Sequence, residues 1–260
     1  MPRRRPPRHD RDARGDPGLL AAKAAVRADV WHRLTAAGAA RFPGAEGRIP
    51  NFAGAAMAAD RLRATEAWGL ARAVKANPDS PQWPVRQRAL EDGKLVFMAV
   101  PRLAEERPFT LLDPAALGDR SPRAASSIRG AAVAGRPVDV ADLEPVDLVV
   151  TGCVAAAEDG ARLGKGGGFS DLELAVAAGA GLVGPSTRVV TTVHELQLRP
   201  AGTIPVAAHD LRVDLIATPD RVIEVIGRRR APVLDWSLLT DEKIAAIPLL
   251  RRLRALGPDR

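Results

Sequence analysis

The chain has 260 residues, of which 46% are hydrophobic and only 3% aromatic, and it contains no tyrosine. That length accommodates one large or two small domains, whose core must be built from leucine, valine, isoleucine and alanine. The single cysteine, Cys153, excludes an internal disulfide and fits a reducing compartment. The net charge of +7 permits a nucleic-acid partner. Because the basic runs are local and aromatic stacking platforms are scarce, we do not expect one.

Residues 1–18 carry the basic run PRRRPPR and no apolar stretch. This composition predicts a disordered basic tail, followed by one domain over residues 19–260. The missing apolar segment argues against a secretory signal here. The chain also lacks the roughly 18 consecutive apolar residues that a membrane-spanning helix needs. The sequence therefore favours a cytoplasmic protein.

Helical spacing of apolar residues dominates the first hundred positions. It predicts one helix over residues 19–40 and a helical region, in one or two pieces, over 55–74. The proline-punctuated segment 75–84 is expected to be a loop. A short helix over 85–93, ending at a glycine, precedes a buried strand over 94–101.

Continuous apolar stretches dominate the second half, after a poorly periodic segment, 102–142, that is expected to wrap the surface. These stretches predict buried strands over residues 146–152, 187–194, 213–219 and 221–227. A helix is predicted over 171–180, and a final helix pair, kinked by Pro248, over 240–256. Buried strands alternating with helices predict a single α/β domain with a mostly parallel central sheet flanked by helices.

The stretch ARLGKGGGFSDLEL, residues 161–174, has the composition of a phosphate-binding loop. It is not a Walker A motif, because Asp159 occupies the first glycine position and Gly166 replaces the final serine or threonine. It is not a Rossmann fingerprint either, since Phe169 stands at the third glycine. Its glycines nevertheless permit close approach of a ligand to the backbone amides.

A helix start after these glycines would strengthen anion binding. The pair Ser170 and Glu173 has the spacing of a capping box, which predicts a helix beginning at Asp171. Arg162 and Lys165 add cations, and we expect both to be exposed. Asp171 would repel a bare phosphate but suits a Mg²⁺ ion bound between acid and phosphate. A flexible glycine hairpin with a capping aspartate is the open alternative from these residues alone.

Five segments, spread over roughly residues 20–256, resemble one known family. They are Lys23-x-x-x-Arg27, EDGKLVFMAVPRL, PVDLVVTG, GARLGKGGGFSDLELA and IPVAAHDLRVDLIATP. Together they are similar to the motifs of the 5-formyltetrahydrofolate cyclo-ligase (methenyltetrahydrofolate synthetase) family. The resemblance implies an α/β fold of the NagB/RpiA/CoA-transferase-like, cyclo-ligase type.

The resemblance also implies an activity. The family converts 5-formyltetrahydrofolate to 5,10-methenyltetrahydrofolate with ATP and Mg²⁺, and releases ADP and phosphate. The formyl oxygen attacks the γ-phosphate of ATP, and the phosphorylated imidate then closes onto the N10 amine. Such a transfer depends on positioning and charge neutralisation rather than on a protein nucleophile. A reduced folate or related small molecule is thus the expected partner of a monomer or homodimer.

By the same resemblance, individual residues have expected roles. Nucleotide binding is expected of Lys23, Arg27, Gly164, Lys165, Gly166, Gly167, Gly168 and Phe169. The expected catalytic cations are Arg162 and Lys165, and the expected Mg²⁺ ligands are Asp171 and Asp214. Asp79, Trp83 and Phe169 are expected to contact the substrate. A strand-end cap for Asp214 and a core position for Trp83 stay open.

Four segments resemble the side branch called methenyltetrahydrofolate synthetase domain-containing proteins: GRIPNFAGA, VKANPDSPQWPVR, GKGGGFSDLE and IPLLRRL. Where cyclo-ligases show Tyr-Tyr-Asp-Arg, this chain has Phe169-Ser170-Asp171-Leu172. By spacing from Lys94, Asp79 replaces the family's folate-contacting glutamate. Two alternatives to a folate cyclo-ligase therefore stay open. One is an ATP-dependent paralogue acting on another small molecule, in thiamine-related metabolism, and the other is a non-catalytic RNA-binding or regulatory paralogue.

Cys153 and the neighbouring residues His209 and Asp210 are better explained by structural roles than by catalysis. Cys153 lies among valine and alanine, so we interpret it as a buried small hydrophobe rather than a nucleophile. His209 and Asp210 form either an acid/base pair or a turn held by the aspartate, and the turn is favoured. No zinc-ligand spacing is present in the sequence.

Overall fold

A computed structural model describes residues 16–100, 103–207, 209–227 and 232–257. Nearly all of the basic tail, residues 1–15, therefore lies outside the described residues. Asp16 caps the first helix by accepting a hydrogen bond from the Gly18 amide, so the helix begins before the expected start at residue 19. None of the helices in the described part of the chain combines the length and apolar character that a membrane crossing requires.

The described residues form nine α-helices and eleven strands, with short 3-10 turns between them. The helices are α1 (Pro17–Ala36), α2 (Ala55–Arg63), α3 (Glu66–Leu70), α4 (Trp83–Glu91), α5 (Pro122–Ala125), α6 (Ile128–Ala134), α7 (Phe169–Gly179), α8 (Asp241–Ala246) and α9 (Pro248–Ala255). The strands are β1 (Ala73–Ala76), β2 (Leu95–Ala99), β3 (Phe109–Leu112), β4 (Arg136–Val138), β5 (Leu148–Val150), β6 (Ala155–Ala157), β7 (Arg162–Leu163), β8 (Arg188–Thr192), β9 (Leu198–Arg199), β10 (Leu215–Ala217) and β11 (Val222–Glu224).

Eight strands form one sheet in the order β11-β10-β8-β5-β1-β2-β3-β4. The five strands from β10 to β2 are mutually parallel, while β11, β3 and β4 pair antiparallel at the two edges. The predicted α/β fold with a mostly parallel sheet is thereby confirmed.

The chain changes direction across the sheet between β1 and β5. From β1 the next strand, β2, lies on one side, whereas β5 is followed by β8 on the other. In open α/β sheets, ligands bind outside the carboxyl ends of the strands at such a switch point. The loops after β1 and β5 are therefore where the topology places a functional site.

Helices cover both faces of the sheet. On one face Leu62 of α2 and Val85 of α4 pack with sheet residues such as Val74. On the other face Leu174 of α7 and Leu250 of α9 join Phe97, Val149 and Val189. A small second sheet, in the order β7-β6-β9, packs against Val30 and Leu34 of α1. Two of its strands, β6 and β7, lie in the chain between β5 and the glycine loop.

Two sequence-based assignments are wrong. The helical region expected over residues 55–74 ends at Leu70, and the segment that follows is strand β1 at the switch point. Segment 102–142 does not merely wrap the surface, because it contains the edge strands β3 and β4. By contrast, the predicted final helix pair broken at Pro248 is present as α8 and α9.

Candidate functional site

The glycine loop, residues 164–168, connects β7 to α7 and is largely exposed. Gly166 and Gly168 have φ angles of 109° and 65°, which side-chain-bearing residues rarely adopt. No hydrogen bond within the described part of the chain engages the amides of residues 165–168. The loop therefore presents unpaired N–H groups to solvent at the start of a helix, which is the physical requirement of an anion cradle.

Helix α7 begins at Phe169 with Gly168 as its cap, so the predicted capping box at Ser170 and Glu173 is wrong. Ser170 Oγ accepts a hydrogen bond of 2.8 Å from Asn77 Nδ2, just after β1. Glu173 is buried and accepts a hydrogen bond of 2.6 Å from Lys75 Nζ. The side chains of Ser170 and Glu173 therefore do not cap α7 but hydrogen-bond it to residues at the carboxyl end of β1.

One cation of α1, Arg27, lies beside the loop, and Lys23 lies one helical turn before it. Arg27 Nε donates a 2.7 Å hydrogen bond to the Gly164 carbonyl, and burial lowers the pKa of its guanidinium. Lys23 Nζ lies 2.5 Å from Asp210 Oδ2, which also accepts the Ala207 amide. The turn interpretation of Asp210 thus fits the structure, and the same carboxylate also binds Lys23.

Arg162 and Lys165 differ sharply in exposure. The side chain of Arg162 is only 2% exposed, so its expected exposure is wrong, and its terminal nitrogen lies 2.6 Å from Asp171 Oδ1. That oxygen also accepts the Leu211 amide at 3.1 Å. Lys165 is 51% exposed, with its ammonium 3.9 Å from Asp79 Oδ1. Arg162 therefore orients Asp171, whereas Lys165 is free to reach a ligand.

Asp79 follows β1 at the switch point. Burial raises the pKa of its carboxyl group, although Lys165 and Arg86 act in the opposite direction. A Cβ atom placed on Gly152, after β5, would lie 3.2 Å from Asp79 Oδ2 and 2.9 Å from Gln82 Oε1. Gly152 thus permits a close approach of the two loops, which brings Asp79 beside the glycine loop.

Arg86 shapes the loop that carries Asp79. Its side chain is completely buried and donates to the carbonyls of Asn77, Asp79 and Ser126, at 2.5, 3.2 and 2.9 Å. Burial lowers its pKa to about 10. Sequence reasoning missed this residue and Lys75, because a charged side chain in an element is ordinarily expected at the surface.

The two aromatic residues of the expected site lie apart. Phe169, half-buried at the start of α7, has the Lys243 ammonium 5.2 Å from its ring centroid. Trp83, at the start of α4, lines a separate cavity with Ser80. Trp68 is buried in the core and donates to Asp92. Trp83 therefore lines a pocket, whereas Trp68 belongs to the core.

Asp171 and Asp214 lie at opposite ends of the parallel strands. Helix α7, which carries Asp171, begins beside Asn77 at the carboxyl ends of the strands. Asp214 precedes β10 and accepts a 2.7 Å hydrogen bond from the Val189 amide at the amino ends. Among the described residues, no three His, Cys, Asp or Glu side chains cluster as a metal site. One carboxylate, Asp171, with substrate phosphates still suits Mg²⁺, which retains much of its water shell.

Cys153 lies in the core, where its thiol is within 3.3 Å of Thr191 Oγ1. Burial raises its pKa above the usual range, so the reactive thiolate is disfavoured at neutral pH. The sequence-based rejection of Cys153 as a nucleophile therefore agrees with its environment.

Comparison with known proteins places these features in one family. The sequence profile of the 5-formyltetrahydrofolate cyclo-ligase family matches residues 11–219, which include every expected site residue. Curated relatives are called methenyltetrahydrofolate synthase domain-containing protein. The mouse protein is 38% identical over 89% of this chain, and the human protein is 34% identical over 88%. The chain spans 63% and 61% of the length of these two relatives.

A solved structure shows the same fold. The NMR structure of Aquifex aeolicus 5,10-methenyltetrahydrofolate synthetase superposes with a TM-score of 0.51 at 20% identity, over 80% of this chain and 95% of that one. The resemblance based on motifs, including that to the domain-containing side branch, is confirmed by these matches. The chain belongs to the 5-formyltetrahydrofolate cyclo-ligase family.

Proposed function

We propose that this protein is an ATP- and Mg²⁺-dependent ligase that converts 5-formyltetrahydrofolate to 5,10-methenyltetrahydrofolate. The observation that carries the proposal is the exposed glycine loop with unpaired amides, which adjoins Asp79 at the switch point of the sheet. Family membership supplies the reaction type. The loop geometry supports an anion site that the sequence motif alone left undecided.

The charged side chains and unpaired amides of the loop suit the phosphates of ATP. Its amide groups and the Lys165 ammonium would contact the phosphates, while Arg27 holds the loop backbone through the Gly164 carbonyl. Asp171, fixed by Arg162, would take part in binding Mg²⁺. When bound, ATP supplies the phosphoryl group that turns the formyl oxygen into a leaving group. The protein's own task is to neutralise charge and to orient the two substrates.

Asp79 would face the folate. Its carboxyl group, whose pKa is raised by burial, would hydrogen-bond to the substrate. Lys165, 3.9 Å from this carboxyl group, would bridge the folate and phosphate sides of the site.

An absorbance assay tests this function. Purified protein, ATP, Mg²⁺ and 5-formyltetrahydrofolate should give the absorbance of the methenyl product. Lys165→Ala should reduce the rate at least tenfold, because a charge-assisted contact is lost. The matched control is Arg120→Ala, which removes an exposed cation remote in sequence from the loop. An absorbance no higher than that of heat-inactivated protein would refute the folate activity.

A second candidate is an ATP-dependent enzyme with a different small-molecule substrate. It is favoured by Leu172, which stands where cyclo-ligases have arginine and is buried in the core, 5% exposed. That position cannot contact an anionic substrate here. ATP consumption stimulated by thiamine-related compounds, but not by 5-formyltetrahydrofolate, would support this candidate over the first.

A further inference from the structure

A cavity of about 320 Å³ lies beside the candidate site. Ser80 and Trp83, which follow Asp79 closely in the chain, line it together with Arg41, Arg88 and Arg123. Among the described residues, none that lines the cavity is acidic. Its wall thus carries positive charge and adjoins the loop that presents Asp79.

Trp83 forms a fixed aromatic wall of this cavity. Its indole Nε1 donates to the Arg123 carbonyl and to Ser126 Oγ, both at 3.0 Å. The guanidinium carbon of Arg123 lies 4.7 Å from the ring centroid. An aromatic ligand group can therefore contact the half-buried indole while an anionic group reaches the cation beside it.

The three arginines differ in their partners. Arg88 is neutralised by Asp60 and Glu91, at 2.7 and 3.7 Å. Arg41 instead donates to the carbonyls of Gly38 and Ala40, at 2.8 and 3.0 Å. Across the described ranges, neither Arg41 nor Arg123 has a carboxylate partner, and both are exposed. Two cations without a carboxylate partner in the described ranges therefore border a cavity whose described lining contains no acidic residue.

We propose that this cavity binds the anionic end of an aromatic small-molecule substrate. The shared chemistry is a carboxylate or phosphate group held by Arg41 and Arg123, with an aromatic ring against Trp83. The inference rests on the proposed function in one respect: the reactive end of the same molecule would lie at Asp79 and Lys165. It assigns a binding role to Arg41 and Arg123, which no sequence motif indicated.

Calorimetric titration with two probes tests the inference without turnover. p-Aminobenzoylglutamate carries an aromatic ring and carboxylates, and phenyl phosphate carries a ring and a phosphate; neither has a formyl group. At least one probe should bind the full chain, and Arg41→Gln with Arg123→Gln should weaken its binding at least tenfold. The matched control, Arg129→Gln, removes an exposed cation that does not line the cavity and should leave affinity unchanged.

The two probes distinguish the source of the anion. Preference for p-aminobenzoylglutamate indicates a carboxylate such as that of a folate, and preference for phenyl phosphate indicates a phosphorylated substrate. The proposal is overturned if neither probe binds, or if Arg129→Gln weakens binding as much as the double variant. Failure of the methenyl assay alone leaves this result intact, because probe binding requires no reaction.

Discussion

Lys75 Nζ of β1 lies 2.6 Å from Glu173 Oε2 of α7, and these side chains are only 3% and 5% exposed. The pair joins the central strand of the sheet to the helix that follows the glycine loop. Asn77 and Ser170 add a neighbouring hydrogen bond at 2.8 Å. The start of α7 is therefore fixed relative to the carboxyl ends of the strands, where the ligand would bind.

Glu173→Gln should reduce the free energy of unfolding by about 3–5 kcal/mol, because it leaves the Lys75 charge buried without its partner. The double variant Lys75→Met/Glu173→Leu should recover most of that loss, since two apolar groups of similar size replace the pair. Urea denaturation monitored by circular dichroism measures both changes.

The surface pair of Arg254 and Asp241, with side chains 57% and 89% exposed, provides the control for that experiment. Arg254→Gln should change stability by less than about 1 kcal/mol. If Glu173→Gln costs no more than this surface variant, the buried pair does not anchor α7.

Arg162→Ala should reduce both stability and ATP affinity, whereas Lys165→Ala should reduce ATP affinity alone. Arg162 is buried against Asp171, so its removal should cost about 2–4 kcal/mol of stability as well as ATP affinity. Lys165 is half exposed, so its removal should change stability by less than about 0.5 kcal/mol. ATP affinity of the Lys165 variant should nevertheless fall about tenfold in calorimetry. Unchanged ATP affinity in both variants would place the nucleotide elsewhere.

Gly152→Ala should destabilise the protein by about 1–3 kcal/mol, because the new methyl group would press on Gln82 and Ile49, each 2.9 Å away. It should also displace Asp79 and impair substrate binding. Gly184→Ala is the matched control, since a Cβ there meets nothing within 4 Å. Equal thermal stability of the two variants would contradict the close approach of the loops after β1 and β5.

Asp79→Asn should alter the dependence of stability on pH. Burial raises the pKa of Asp79 above its ordinary value of 3.8, so the folded state binds the proton more tightly than the unfolded state. Stability should therefore fall as pH rises from 3.8 through the raised pKa, and Asp79→Asn should abolish that decrease. At neutral pH the variant should unfold at a higher urea concentration.

Asp139→Asn provides a control of opposite sign. The hydrogen bond from Arg252 lowers the pKa of Asp139 below 3.8. Its contribution should be present above pH 3.8 and lost as pH falls through the lowered value. The Asp139 variant should thus be less stable at neutral pH and match the wild type in strong acid. A parallel pH response of the Asp79 and Asp139 variants would contradict the assigned shifts.

The fold class could be predicted because the buried strands are continuous apolar runs. Strand β1 was missed, since Lys75 interrupts its apolar pattern and Pro78 follows shortly after. The partner that makes a buried lysine tolerable, Glu173, lies 98 residues further along the chain. Local periodicity carries no information about such a pair.

The site was predictable in composition but not in geometry. The glycine loop and its flanking charges were evident, yet the burial of Arg162 depends on packing that the motif does not show. Likewise, Ser170 and Glu173 have capping-box spacing, but Asn77 and Lys75 engage them instead. Arg86 went unnoticed because it acts through backbone carbonyls of residues 77, 79 and 126 rather than through a motif.

Lys243 of α8 donates to the Gly167 carbonyl at 3.3 Å and lies over the Phe169 ring. This contact comes from beyond the family match, which ends at residue 219. During synthesis, the glycine loop emerges from the ribosome long before its partner on α8. The loop therefore acquires its complete environment only after residue 243 has been synthesised and α8 has packed beside it.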